Sequence, residues 1–270
     1  MDLSYKQPKA KRSLGQNFLV DDSVIDRIVG ALGNINGVSV VEIGPGRGAL
    51  TERILNTGAI LTAIEKDTIL AAELREDHKD RQNFQCVESD VLQVDFAAVI
   101  PDARTSPVKL IGNLPYNIST AILERIAAER ELFSQAVFMF QREVVNRIIA
   151  NPGDSERGYY TVLVEAAFDG THLFDVPPTA FRPQPKVWSS VVSLTPKPRS
   201  IGDEPGFRKL VAKAFAQKRK NILNNLKHTM ADAAVLLISA SIDPRRRAET
   251  LTLEEWLTLY ELSNKNGRAL

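Results

Sequence analysis

The stretch Glu42-Ile43-Gly44-Pro45-Gly46-Arg47-Gly48 decides the fold, because it closes an apolar run, Val38–Ile43, and leads directly into a helical pattern. Its glycines permit a tight turn and a close approach of backbone to a ligand, and the helix start offers amides without intrahelical partners. Strand, glycine-rich loop and helix in that order form a nucleotide site, with Gly44 and Gly46 facing the ligand. The spacing Gly-x-Gly-x-Gly is not the Gly-x-Gly-x-x-Gly of a dinucleotide fingerprint, and the Lys-Ser/Thr pair of a P-loop is absent.

Outward from that loop, apolar runs rich in β-branched residues recur at Ala59–Ile64, Phe84–Val87, Val108–Ile111 and Ala136–Phe140, with helical stretches between them. This alternation predicts βαβ units, and runs apolar at nearly every position predict strands covered on both faces. The expected architecture is α/β: a doubly wound, mostly parallel Rossmann-like sheet with an antiparallel edge. Two further strand-like runs, Tyr160–Phe168 and Val187–Leu194, are expected to pair at that edge across a loop holding Pro177, Pro178, Pro183 and Pro185. From about Pro205 the pattern turns helical through Phe207, Leu210, Val211 and Phe215, and later Leu253, Trp256, Leu257 and Tyr260. The expected organisation is a basic tail over 1–12, a catalytic domain over 13–197, a linker over Thr195–Pro205 and a helical domain over 205–270.

The net charge of +1 hides a segregation: residues 1–177 carry 18 Lys/Arg against 25 Asp/Glu, and residues 178–270 carry 16 against 8. Lys6, Lys9, Lys11 and Arg12 add a second cationic cluster. Such asymmetry suits a polyanionic partner. No apolar run approaches the roughly 18 residues of a membrane helix, so a cytoplasmic protein without membrane contact is expected. A single cysteine, Cys86, excludes a disulfide framework and a multi-cysteine metal site, and its strand-like run points to packing.

Glu65 closes the next strand about twenty residues after the loop, where a carboxylate can accept from two ribose hydroxyls, and Asp90 follows the strand after that. Ligands of an open sheet bind beyond the carboxyl ends of its strands, so Glu42, Glu65 and Asp90 face one crevice. Three acids disfavour a pyrophosphate. They suit a ligand with hydroxyls, an amine and a positive charge, a combination that S-adenosyl-L-methionine has and NAD lacks.

Asn113-Leu114-Pro115-Tyr116 ends the fourth strand. The Asn113 amide oxygen and the carbonyl before Pro115 can each accept a hydrogen from an amino group, and Tyr116 offers a flat face for a base. The amine of adenine is a poor nucleophile because its lone pair is delocalised into the ring. Two acceptors on its hydrogens favour a pyramidal nitrogen whose lone pair points at a methyl donor, so no strong base is needed. His78, His172 and His228 stand beside no motif and show no metal-ligand spacing, so no metal is expected. An adenine in a duplex must be flipped out at a cost of a few kcal/mol. Phe181, in the proline-stiffened stretch Phe181–Val187, is the candidate for the second stacking face, alongside its ordinary alternative of a plug over the core.

These residues together resemble the ribosomal RNA adenine dimethyltransferase family over about Leu14–Leu194, through Leu14–Leu19, Glu42–Gly48, Glu65, Ser89-Asp90-Val91-Leu92, Asn113–Tyr116 and Phe181–Val187. The resemblance implies dimethylation of two adjacent adenosines in the terminal hairpin loop of small-subunit ribosomal RNA, within a pre-assembled subunit, by a monomer. It implies that Asn17 and Leu19 line the cofactor site, Gly44 approaches the methionine moiety, Glu65 holds the ribose, Asp90 the cofactor adenine, and Asn113 the reacting centre. Ser89 stands where the family usually has glycine. The basic stretch Phe215–Asn221, with Lys218, Arg219 and Lys220, resembles an RNA-contacting helix of the family's C-terminal domain. The macrolide-resistance enzymes of the large subunit share the catalytic motifs but are more basic overall. A pure RNA-binding assembly factor would have no chemical reason to keep Gly44, Glu65, Asp90 and Asn113–Tyr116, and the basic C-terminal third disfavours a small-molecule substrate.

Overall fold

The structure, a computed structural model, describes residues 16–100, 108–114, 118–203 and 205–265. The basic tail over 1–12, Pro115 and Tyr116 lie outside the described residues. The chain divides into two units, one holding the residues up to Val145 with Thr171–Pro196, the other Asn146–Gly170 with the residues from Lys197 on.

The first unit opens with β1 (Phe18–Leu19) and α1 (Asp22–Gly30), then alternates β2 (Ser39–Ile43), α2 (Ala49–Leu55), β3 (Ile60–Glu65), α3 (Thr68–Asp77), β4 (Phe84–Glu88), α4 (Phe96–Val99), β5 (Val108–Asn113), α5 (Ser119–Ala128) and β6 (Phe133–Gln141). After α6 (Arg142–Ile148) and α7 (Tyr159–Ala167) the chain returns through β7 (Phe168–Val176), β8 (Phe181–Arg182) and β9 (Ser189–Pro196). The seven-stranded sheet has the order β4-β3-β2-β5-β6-β9-β7. Pairings β2/β3, β2/β5, β3/β4 and β5/β6 are parallel, whereas β6/β9 is antiparallel. The order reverses between β2 and β5, so a crevice opens at the carboxyl ends of these strands. On one face, Val24, Ile25 and Ile28 of α1 and Leu50 and Ile54 of α2 bury against Val40, Leu61, Ile111 and Val137. Asp21 caps α1 by accepting from Val24 N–H at 3.2 Å.

Three expectations change. Tyr160–Phe168 is not a strand: Tyr159–Ala167 is helix α7, with Thr161, Val162, Leu163, Val164, Ala166 and Ala167 all buried. A helix buried nearly all round loses the 3.6-residue period that marks an exposed one. The edge strand is instead the polar Phe168–Val176, and β9 lies between it and β6. The boundary between units also differs, since α7 and the expected linker from Lys197 on belong with the helical unit, while Thr195 and Pro196 end β9. Lys197 donates from its backbone to Ala167 O at 2.9 Å and from Nζ to Glu165 O at 2.9 Å. β4 is only half buried, as an edge strand is, and Cys86 on it is a free thiol of intermediate exposure.

The second unit gathers α7 with α8 (Pro205–Ala214), α9 (Ile222–Leu226), α10 (Ala233–Ser239) and α11 (Leu253–Lys265). Its core joins Val162, Phe207, Leu210, Leu237, Trp256 and Leu259. The fully buried Arg157 ties three segments by donating to Ala150 O at 2.9 Å, Glu165 Oε2 at 2.6 Å and Leu251 O at 3.1 Å.

Candidate active site

A cavity of about 450 Å³ opens at the carboxyl ends of β2, β3 and β5, within the size range of small-molecule sites. Among its walls are Asn17, Leu19, Gly44, Gly46, Glu65, Asp90 and Asn113, so the structure brings together all the cofactor-facing residues that the sequence put forward.

The glycine loop forms one wall. Gly44, Gly46 and Gly48 have φ of 66°, 60° and 77°, a left-handed conformation that side chains rarely adopt. They differ in what a side chain would meet. A Cβ on Gly46 would stand 3.2 Å from the Phe18 ring, while a Cβ on Gly44 meets nothing within 4 Å. Gly46 is thus a packing glycine, and Gly44 leaves open space beside the cavity for a ligand.

Glu65 organises this wall. Gly46 N–H donates to its Oε2 at 3.0 Å and Asp67 N–H to its Oε1 at 2.8 Å, so one carboxylate ties the loop after β2 to the end of β3. The Lys66 backbone adds to these bonds, and the carboxylate retains acceptor capacity toward a ligand hydroxyl. Burial pushes the Glu65 carboxyl up, partly offset by the Asp67 and Gly46 amides. Glu42 is buried more deeply, 1% exposed, and accepts from Thr51 Oγ1 at 2.6 Å. Burial first, with the Glu65 charge adding to it, pushes Glu42 up to about 8. Asp90 behaves oppositely. It accepts from Lys66 Nζ at 2.7 Å and Leu92 N–H at 3.0 Å, and the Lys66 hydrogen bond leads in holding it below the usual carboxylate range. The cavity therefore offers carboxylate acceptors, with Lys66 paired to Asp90 and Arg47 over the Phe18 ring, and its apolar walls, Ile64, Val91 and Leu114 among them, can take an adenine face. That donor set fits S-adenosylmethionine.

Asn113 closes the other side. Its Nδ2 donates to Asn17 O at 3.1 Å, which fixes the amide's orientation and leaves Oδ1 as the acceptor. Leu114 N–H continues the ladder to Met139 O at 3.2 Å, so the chain leaves β5 on a held residue. Leu114 and Ile118, both cavity-lining, escaped the sequence reading, as did Lys66 and Arg47. Arg47 lies over the Phe18 ring at 4.3 Å. Lys66, adjacent to Glu65, carried a readable signal in its charge; the partners of Arg47 and of Asn17 carried none.

Two assignments need correction. Phe181 is fully buried in the core and pairs with Leu19 across β1 and β8, so it has no free face for a base. It is the plug: the β1/β8 ribbon holds Phe18 and Leu19 against the cavity. Phe215–Asn221 is not helical, because α8 ends at Ala214 and a turn follows. Asn225 Nδ2 donates to Ala214 O at 2.6 Å and Gln217 O at 3.2 Å, satisfying carbonyls that a longer helix would use, and Asn221 caps α9. Lys218, Arg219 and Lys220 stand exposed on that turn, with Lys218 Nζ donating to Ser155 O.

The model of the family described as ribosomal RNA adenine dimethylase matches residues 7–265. The chain is 41% identical to Ribosomal RNA small subunit methyltransferase A of Hahella chejuensis, over 94% of this chain and 92% of that protein. It is 42% identical to the protein of the same name from Chromohalobacter salexigens, over 92% and 89%. Among solved structures, a dimethyladenosine transferase from Plasmodium falciparum is similar with a TM-score of 0.78 at 25% identity, covering 93% of this chain and 98% of that one. The 23S rRNA methyltransferase ErmE gives 0.71 at 26% identity, over 92% and 100%. A family match across nearly the whole length, joined to a glycine-loop cavity lined by Glu65, Asp90 and Asn113, makes this chain a member of the ribosomal RNA adenine dimethylase family, whose methyl donor is S-adenosylmethionine.

Proposed function

We propose that this protein places two methyl groups on the exocyclic amine of each of two adjacent adenosines in the 3′-terminal hairpin loop of small-subunit (16S) ribosomal RNA, acting in ribosome biogenesis. The observation that carries the reading is the Asn113 amide, turned by its bond to Asn17 O so that an acceptor stands at the edge of the cofactor cavity. S-adenosylmethionine supplies an electrophilic methyl on sulfur. The protein's share is to hold the cofactor through Asn17, Leu19, Gly44, Gly46, Glu65 and Asp90, and to draw the amine's hydrogens toward Asn113 Oδ1 and the Leu114 carbonyl. Tyr116 and the proline-restrained backbone at Pro115 would hold the base. The proton leaves the methylated amine to water, since the site needs no base.

Lys218, Arg219 and Lys220 are assigned to phosphates of the RNA. Support comes from the helical unit, where Ile222 N–H donates to Arg246 O at 2.8 Å and Leu223 N–H to Pro244 O at 3.4 Å. These bonds set the turn Arg245–Arg247 beside the first; its arginines are ion-paired with Asp243, Glu255 and Glu249, so the phosphate role rests on Lys218, Arg219 and Lys220. The names of the small-subunit relatives support a ribosomal RNA substrate; a pre-assembled small subunit as substrate, a monomeric enzyme and a cytoplasmic site of action belong to the same proposal. Among the described residues no helix is long and apolar enough to cross a membrane.

The test is transfer of labelled methyl from S-adenosylmethionine to small-subunit particles from a strain lacking the enzyme, with large-subunit particles as the second arm. Two labelled methyls on each of two neighbouring adenines of small-subunit RNA is the expected map. Label in large-subunit RNA would make this a macrolide-resistance type enzyme, and RNA retention without transfer would make it a binding factor.

A further inference from the structure

Trp188 precedes β9, whose first residue Ser189 pairs with Gln141 at the carboxyl end of β6. Because β5 and β6 are parallel, with Asn113 opposite Met139, this is the same sheet edge that presents Asn113. Two strand spacings across the sheet, about 10 Å, and three residues along it, about 10 Å more, separate the two positions, roughly 14 Å on the diagonal.

Trp188 is 44% exposed and its neighbour Val187 43%. The Arg142 guanidinium lies over the indole at 5.8 Å, and Arg142 N–H donates to Trp188 O at 3.0 Å, so the ring is tied to the start of α6. Arg182 and Lys186, both exposed, lie within the six residues before it. The neighbouring acid, Asp175, is engaged by Ser190 Oγ at 2.6 Å and His172 Nε2 at 2.9 Å, and its contact to Arg142 is longer, 3.8 Å. An aromatic face held among cations is the composition of a stacking platform for single-stranded nucleic acid.

We propose that Trp188 stacks an unpaired RNA base flanking the adenosine being methylated. The proposal rests on the RNA-substrate reading above and extends it to a second base. One residue then holds the neighbour in line while its partner is in the pocket, and the side-chain cations Arg142, Arg182 and Lys186 take the phosphates between. Phe181, buried as it is, cannot do this; Trp188, seven residues on, can.

The sequence has two tryptophans, and the other, Trp256, is fully buried in the helical unit. Tryptophan emission of the full chain, titrated with a hairpin RNA carrying two adjacent adenosines in its loop, should therefore quench saturably in step with RNA retention. Trp188→Leu should abolish the quench and weaken RNA affinity by roughly ten-fold or more, and Trp188→Phe should recover most of the affinity. Both variants should bind S-adenosylmethionine as the parent does. RNA retained with unchanged emission, or unchanged affinity in Trp188→Leu, overturns the proposal alone. An emission shift that follows protein concentration without RNA would assign the face to a second copy and overturn it too. A parent chain that retains neither the hairpin nor small-subunit particles overturns the RNA reading along with it.

Discussion

The cofactor cavity and the cationic turn of the helical unit carry charge in opposite ways. In the cavity, Glu42 and Glu65 are buried and each is bound to named donors, so their value lies in direction: Thr51, Gly46 and Asp67 decide where each lone pair points. On the turn, Arg219 and Lys220 are exposed, and what they offer is number and sign. Burial makes one carboxylate worth several kcal/mol of organisation, while an exposed cation is screened and adjustable. The difference suits a small ligand held in one pose and a polymer held along a contour.

The sharpest way to break the comparison is at Glu65. Glu65→Ala strands the Gly46 and Asp67 amides, each costing roughly 1–3 kcal/mol if left unpaired. Cofactor affinity by calorimetry should fall on the order of 10²-fold, with a lower melting temperature; affinity within a few-fold of the parent would mean that the loop stands without it. Glu42 gives a smaller, pH-dependent effect. Its carboxyl titrates near 8 when folded against an ordinary value of 4.5, so the folded state holds a proton that the unfolded state has lost. More protons bound in the native state means stability falls as pH rises across that window, by roughly a few kcal/mol, and levels off above it. Glu42→Gln should remove this slope, so its melting temperature should gain on the parent from pH 5 to 8. Parallel melting curves across that range would show that Glu42 is ionised throughout. Least in size, Arg219→Ala and Lys220→Ala should leave the melting temperature alone while lowering RNA affinity and flattening its salt slope by roughly one per lost phosphate contact. An unchanged slope would return both residues to solvation.

The same contrast explains what could be read from the sequence. The strand after strand of apolar residues, the glycine loop and the acids at strand ends are local patterns, and β2, β3, β5 and β6 fall where those patterns lie. What escaped was non-local or lacked a period. Asn17 meets Asn113 across 96 positions, and the two-residue strands β1 and β8 are too short to show alternation. Helix α7 is buried nearly all round and so resembles a core strand, while the true edge strand, with Asp169, Thr171 and His172 exposed, resembles a loop. Phe181 in a proline-rich stretch could be a stacking ring or a plug, and only its pairing with Leu19 decides between them. Charge counting found the basic region correctly as a composition, but the helix expected there is a turn because Asn221 and Asn225 claim its backbone.

The most direct test of the central claim, that Asn113 Oδ1 accepts from the target amine beside the bound methyl donor, is single-turnover methyl transfer to unmethylated small-subunit particles by Asn113→Ala. Cofactor and particles are both kept saturating, so that binding losses do not enter. The expected result is a transfer rate lower by on the order of 10²-fold, with particle retention within a few-fold of the parent. Transfer at the parent's rate under the same saturation would contradict it.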